Sequence, residues 1–171
     1  MALRTIVYEG EDVLLKKARP ITVFDEKLAT LAADMLETMH AKDGIGLAAN
    51  QIGLLRRIFV MDLQDEEAPE DSPQVFINPE ILEQEGSQTY LEGCLSLPGL
   101  YGYVERPAWL KLHFQDLEGV THELEARGLA AVCIAHEIDH LNGILFRSKA
   151  LGELQPLSYY QAEEQEQAER E

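Results

Sequence analysis

Two cysteines in 171 residues, Cys94 and Cys133, are too few for a disulfide framework. Positive charge is scarce as well. Fourteen basic residues face 31 acidic ones, a formal net charge of -17. That balance argues against nucleic acid or an anionic membrane as a partner held by bulk charge. Long apolar runs are missing. Met1 to Lys17 holds no uninterrupted apolar core of a signal peptide, and no stretch approaches the ~20 residues of a membrane span. A reducing, cytoplasmic setting is the expectation. Internal repeats and low-complexity linkers are absent too. What is present is an ordinary globular composition, 46% hydrophobic, of a length that fits one domain with a sizeable core.

The acidic excess concentrates in two places. One is the proline-bearing loop Gln64 to Pro73. The other is the tail from Gln161, with Glu163, Glu164, Glu166, Glus at 169 and 171. Both read as solvated surface. We expect a single catalytic domain over residues 1–160 and an acidic C-terminal tail over 161–171.

Between these limits the pattern alternates helix and strand signals. Leu28, Leu31, Met35 and Met39 recur at helical spacing, so Asp25 to Met39 is expected as a helix, capped by Asp25. His40 at its end is explained by the helix dipole. Gly44 to Gly53 carries three glycines and no charge, which predicts a tight loop. Strands are expected over Arg57 to Leu63, Val75 to Asn78 and Glu80 to Leu91, the last with a turn near Glu85-Gly86. Trp109 to Asp116 alternates, with Leu110, Leu112 and Phe114 on one face and His113 on the polar one. A turn at Glu118-Gly119 leads into Val120 to Glu125, which places His122 at the surface. Arg127 to Leu141 is almost wholly apolar before its last turn, as befits a helix buried on most sides. Gly143 stops it. The expected fold class is α+β, with strands packed around this central helix.

That helix contains His136-Glu137-Ile138-Asp139-His140. Histidines four residues apart point about 40° apart around the axis, so both imidazoles can close on one metal ion. Glu137 between them can then serve as a base toward water on that metal. Two histidines need a third ligand. Cys94 is the first candidate, in Glu92-Gly93-Cys94-Leu95-Ser96 after a strand-like segment. A thiolate would suit Zn²⁺ or Fe²⁺ rather than Mg²⁺ or Ca²⁺. Cys133 is the second. It lies about 60° and 20° from the two histidines around the helix, so spacing does not choose between the cysteines.

Three segments together resemble the peptide deformylases. They are Gly44-Ile45-Gly46-Leu47-Ala48-Ala49-Asn50-Gln51, Glu92-Gly93-Cys94-Leu95-Ser96 and His136-Glu137-Ile138-Asp139-His140. They match that family's G-x-G-x-A-A-x-Q, E-G-C-L-S and H-E-x-D-H motifs in order, over positions 44 to 140. The resemblance implies a metal-dependent amidase that removes formate from N-formylmethionyl peptides. It implies Cys94, His136 and His140 as ligands of one divalent ion. That ion would be Fe²⁺, with Zn²⁺, Ni²⁺ or Co²⁺ as substitutes. It implies Glu137 as acid and base, and Gln51 with the Leu95 backbone N–H as oxyanion donors. Tyr90, Leu129, Val132 and Cys133 would line the side-chain pocket. Ile45, Gly46 and Gly93 would offer backbone to the peptide. Glu92 would pair with Arg106 and brace the Cys94 segment. Some family members end in a basic helix suited to ribosomal RNA. The acidic tail here argues against that way of reaching the nascent-chain exit. Two other readings use the same motif. One is a zinc endopeptidase. The other is a structural metal site in a binding module, which needs Asp139 or Cys133 as a fourth ligand.

Overall fold

The computed structural model describes residues 2–64 and 72–170, so residues 65–71 of the expected acidic loop lie outside the described residues. Helix α1 (Glu26–Ala41) starts where expected, with the Asp25 carboxylate accepting from Leu28 N at 3.0 Å. Leu28, Leu31, Met35 and Met39 are all buried. His40 has more than a dipole to satisfy it. Its Nε2 sits 2.8 Å from Asp62 Oδ2.

The glycine-rich stretch is not simply a loop. It holds strand β1 (Gly46–Ala48) and a 3₁₀ turn, Ala49–Ile52, closed by Gly53 at φ +82°. Three residues are too few for alternation to show in a sequence. β1 pairs antiparallel with β2 (Ile58–Met61). β3 (Val75–Glu85) runs through the expected break at Asn78-Pro79. A register irregularity between Ile77 and Glu80 absorbs the proline, with Asn78 at φ +50°. The Asn78 side chain bonds both Ile21 N and Ile21 O at 2.8 Å, which holds the irregularity in place. β4 (Gln88–Cys94) and β5 (Leu97–Arg106) form a separate two-stranded sheet. β6 (Trp109–Gln115) and β7 (Thr121–Arg127) follow as an antiparallel pair. The alternation expected for β6 is observed, with Leu110, Leu112 and Phe114 buried. His113 and His122 are outside the core and face Glu80 and Asp116.

The larger sheet has the order β1-β2-β3-β6-β7. Helix α2 (Gly128–Leu141) packs on one face and α1 on the other. The four residues of β2 divide between them. Phe59 and Met61 join Phe76, Leu110, Ile134 and Ile138 under α2. Ile58 and Val60 join Leu28, Met35 and Met39 under α1. This two-sided burial explains why β2 is apolar without alternation. A third cluster, Leu14, Leu97, Val104, Leu145 and Phe146, fills the space beneath β5. The α+β class with a central buried helix is therefore observed.

The end of α2 is fixed by two devices. Gly143 adopts φ +75°, and a Cβ there would lie 2.6 Å from the Leu15 carbonyl oxygen. Arg57 donates to Leu141 O at 3.2 Å and to Asn142 Oδ1 at 3.0 Å. A last helix, α3 (Leu157–Arg170), runs through the expected tail boundary. It is anchored by Tyr160, whose hydroxyl donates to Tyr101 O at 3.0 Å. Among the described residues, no helix is long and apolar enough to cross a membrane.

Candidate metal centre

Cys94 ends β4 at a register shift between Gly93 and Cys94. Such an irregularity re-aims a side chain, here away from the alternation of the strand. It brings Cys94 Sγ to 3.3 Å from His140 Nε2. His140 Nε2 lies 3.1 Å from His136 Nε2. The three ligand atoms fall within 4.8 Å of one another. Ligands about 2.0–2.3 Å from a tetrahedral ion lie roughly 3.3–3.7 Å apart, so this convergence fits a divalent cation. Cys133 is excluded from the cluster by position. Its Sγ lies 3.9 Å from Ile45 O on the wall of the cleft. Burial and the neighbouring Glu137 and Glu92 carboxylates push its thiol up, against the thiolate form.

A chain of charges holds the histidines. His136 Nδ1 is 2.7 Å from Glu92 Oε1. Donation from Nδ1 to that carboxylate leaves the Nε2 lone pair free for a cation. Glu92 is gripped by Arg106 through two bonds of 2.7 and 2.8 Å, as expected. Arg106 also donates to Asp139 at 2.7 Å, and Lys149 reaches the same carboxylate at 2.9 Å. Asp139 is thus committed to cations on the far side of α2, not to a metal. Burial raises the Glu92 carboxyl, but the bonds from Arg106 and His136 outweigh it and hold it below the ordinary value.

The electrostatics favour positive charge between the ligands. Burial disfavours a charged His136. Its contacts with Cys94 and Glu92, and the Glu137 carboxylate nearby, outweigh burial and push it up to about 10. A divalent cation would satisfy the same anionic surroundings in place of that proton. Burial, then the charge at His136, holds His140 well below its ordinary value. That direction favours the neutral form of the imidazole, the form that can bind a cation. Burial pushes Glu137 up to about 7, opposed by His136 and reinforced by Glu92. A carboxylate in that range is matched to taking and returning protons near neutral pH. Glu137 Oε2 is buried with no protein partner, which leaves it open to a water or a substrate amine.

Gln51 sits on the 3₁₀ turn, buried. Its Oε1 accepts from Ala48 N at 3.0 Å, which turns Nε2 toward Cys94 Sγ at 3.4 Å and Ser96 Oγ at 3.2 Å. Ser96 was not legible as a site residue, since nothing in its spacing tied it to Gln51. The centre opens into a cleft of ≈ 550 Å³. Ile45 and Gly46 line one side and Tyr90 and Gly93 the other, with Leu129, Val132 and Cys133 beneath; Leu95 borders it as well. β1 ends the larger sheet and β4 pairs only with β5 among the described residues, so two strand edges border the cleft. Ile6 and Tyr8 from the N-terminal segment also border it, a contribution no local pattern announced.

Comparison with known proteins shows the family. Residues 3–154 match the family model described as polypeptide deformylase. A peptide deformylase of Agathobacter rectalis is 46% identical over 164 residues, covering 96% of this chain and 100% of that protein. One from Clostridium botulinum is 51% identical over 146 residues, 85% of this chain and 95% of that one. The crystal structure of peptide deformylase from Thermotoga maritima superposes with a TM-score of 0.82 at 40% identity. It covers 88% of this chain and 99% of that one. A Met-Ala-Ser-bound class I type b peptide deformylase from Acinetobacter baumannii gives 0.79 at 35% identity, over 86% and 98%. The likeness spans the cleft, the buried helix and the strand that ends in Cys94, and on it this chain belongs to the polypeptide deformylase family.

Proposed function

We propose that this chain hydrolyses the N-formyl group of N-formylmethionyl peptides, releasing formate and a free N-terminal amine. The observation that carries this reading is one cleft that joins the Cys94, His136 and His140 cluster, the buried Glu137 and two strand edges. In our reading Cys94, His136 and His140 hold one divalent ion. Fe²⁺ suits the mixed thiolate and imidazole set, and Zn²⁺, Ni²⁺ or Co²⁺ could replace it. Bound there, such an ion supplies Lewis acidity to the formyl carbonyl and lowers the pKa of water.

The residues supply the rest. Glu137 takes a proton from the attacking water as the C–O bond forms, and returns it to the amine nitrogen when the C–N bond breaks in the following step. Gln51 Nε2 and the Leu95 backbone N–H donate to the oxygen that becomes negative in the transition state. The anchoring of Gln51 Oε1 on Ala48 N fixes that donor in advance. The peptide lies as an added strand along Ile45 and Gly46, facing Gly93. Its first side chain enters the pocket of Tyr90, Leu129, Val132 and Cys133. We assign catalysis to residues 1–160 and treat 161–171 as an acidic extension. Two free cysteines suit a reducing cytoplasm. The acidic extension speaks against docking on ribosomal RNA, even if the enzyme works near the nascent-chain exit.

A structural metal site would need a fourth protein ligand. Asp139 is engaged by Arg106 and Lys149, and Cys133 is held protonated. A zinc endopeptidase would leave the Gln51 and Cys94 arrangement without a purpose. Protein made anaerobically with iron should release formate from formyl-Met-Ala-Ser. A metal-loaded preparation that releases none would overturn the assignment.

A further inference from the structure

A second cavity, of ≈ 250 Å³, opens where α3 packs against β5, and none of its lining residues belongs to the metal cleft. Three tyrosines form its wall. Tyr160 is the buried one, fixed through its hydroxyl to Tyr101 O. Tyr103 stands perpendicular to it, ring centroids 5.4 Å apart at 90°. Tyr159 does the same at 5.2 Å and 85°. Tyr103 and Tyr159 remain 40% and 45% exposed, so their rings are open to a ligand. A half-exposed tyrosine ring beside a carboxylate favours an organic cation that can reach the ring face. The charged residues of the lining are Glu153 and Glu163; no lysine or arginine is among them. The Glu163 carboxylate lies beside the Tyr159 hydroxyl.

The surroundings extend the same preference. Tyr159, Glu163 and Glu166 recur at i, i+4 and i+7 on α3, so they share a face. An acidic stripe therefore leads out of the cavity along the helix. A net charge of -17 draws basic partners and repels nucleic acid and anionic lipid. A flat guanidinium can lie on a tyrosine face while still donating to a carboxylate, which a compact ammonium does less well. A free small cation would leave the stripe along α3 unused.

We propose that the cavity between α3 and β5 docks an arginine side chain of a basic, extended polypeptide segment, whose further basic residues follow Glu163 and Glu166. The test is a fluorescence-anisotropy titration of the metal-loaded full chain with a labelled acetyl-Arg-Gly-Arg-Arg-Gly-amide peptide. A peptide with citrulline at every arginine is the control. Saturable binding of the arginine peptide alone is expected. Tyr103→Leu with Tyr159→Leu should weaken it at least about tenfold, given two lost cation–π contacts. Tyr103→Phe keeps the ring and should keep the binding, and Glu163→Gln should weaken it. Formate release should be unchanged in all of these variants, because none touches the cleft, and the melting temperature should hold in Tyr103→Phe and Glu163→Gln, which keep the ring contacts on Tyr160. If the double variant fails to fold, the comparison of Tyr103→Phe with Tyr103→Leu decides. No saturable binding overturns the proposal. So does equal binding of the citrulline peptide, or binding that depends on Glu163 and is indifferent to both tyrosine rings.

Discussion

Glu137 carries the heaviest demand at the scale of single residues. In the proposed reaction it is a base when water attacks and an acid when the amine leaves, and burial pushes its carboxyl up to about 7. Glu137→Gln removes the proton exchange and leaves all three ligand atoms. Metal content should stay at the wild-type level while turnover falls at least ~10²-fold. Metal analysis and formate release on one preparation check this. Gln51→Leu tests a donor aimed at charge present only in the transition state. It should lower kcat by about 3 kcal/mol of barrier while KM changes little. A raised KM with unchanged kcat would place Gln51 in substrate binding instead. The cysteines give a paired test. Cobalt-substituted protein should show a thiolate-to-metal charge-transfer band that vanishes in Cys94→Ala and survives in Cys133→Ala. Helix geometry alone allowed the opposite result, since Cys133 faces the same side as both histidines. What separates the two is the irregularity that turns Cys94 inward and the hold of Ile45 O near Cys133. Neither is a property of the sequence near the motif.

Among the elements, those with a long period were legible and those broken by glycine or proline were not. α1 and α2 announced themselves through apolar repeats, and β6 through strict alternation. β5 was hidden, because Pro98, Gly99 and Gly102 interrupt the pattern that a strand would show. Gly102 is small for a reason the sequence does not state: a Cβ there would meet Leu154 Cδ2 at 2.5 Å. β1 was hidden by its brevity, yet it packs directly against the Glu137 carboxylate. A Cβ on Gly46 would fall 2.8 Å from Glu137 Oε1 and 3.0 Å from Cys133 Sγ. Gly46→Ala should therefore displace the buried carboxylate. We expect kcat to drop at least about tenfold, with metal content retained, because the ligand atoms lie elsewhere. Steady-state kinetics with metal analysis decide it. An unchanged kcat would mean that Glu137 has room to move and still work.

On the scale of the whole molecule, the cleft is a product of long-range pairing. It opens between the edge of a five-stranded sheet and the edge of a two-stranded one, with α2 beneath. The motif residues on its walls were legible, but the cleft itself was not, because no local pattern says which strands remain unpaired. The same separation governs the C-terminus. α3 meets the body through Tyr160, and every described residue beyond it is exposed. Its four glutamates after residue 160, Glu163, Glu164, Glu166 and Glu169, are exposed and add to an already acidic surface. Deleting residues 161–171 should leave kcat/KM for formyl-Met-Ala-Ser within about twofold of the full chain. The melting temperature should fall slightly, because the four residues left of α3 are too short to hold a helix and the Tyr160 anchor loosens. Calorimetry and formate release on the shortened chain test both. A large loss of kcat/KM with the fold intact would mean that the acidic helix acts on the cleft through β5, by way of the Tyr160 to Tyr101 bond. An unchanged enzyme would mean that this helix serves a surface role separate from the chemistry.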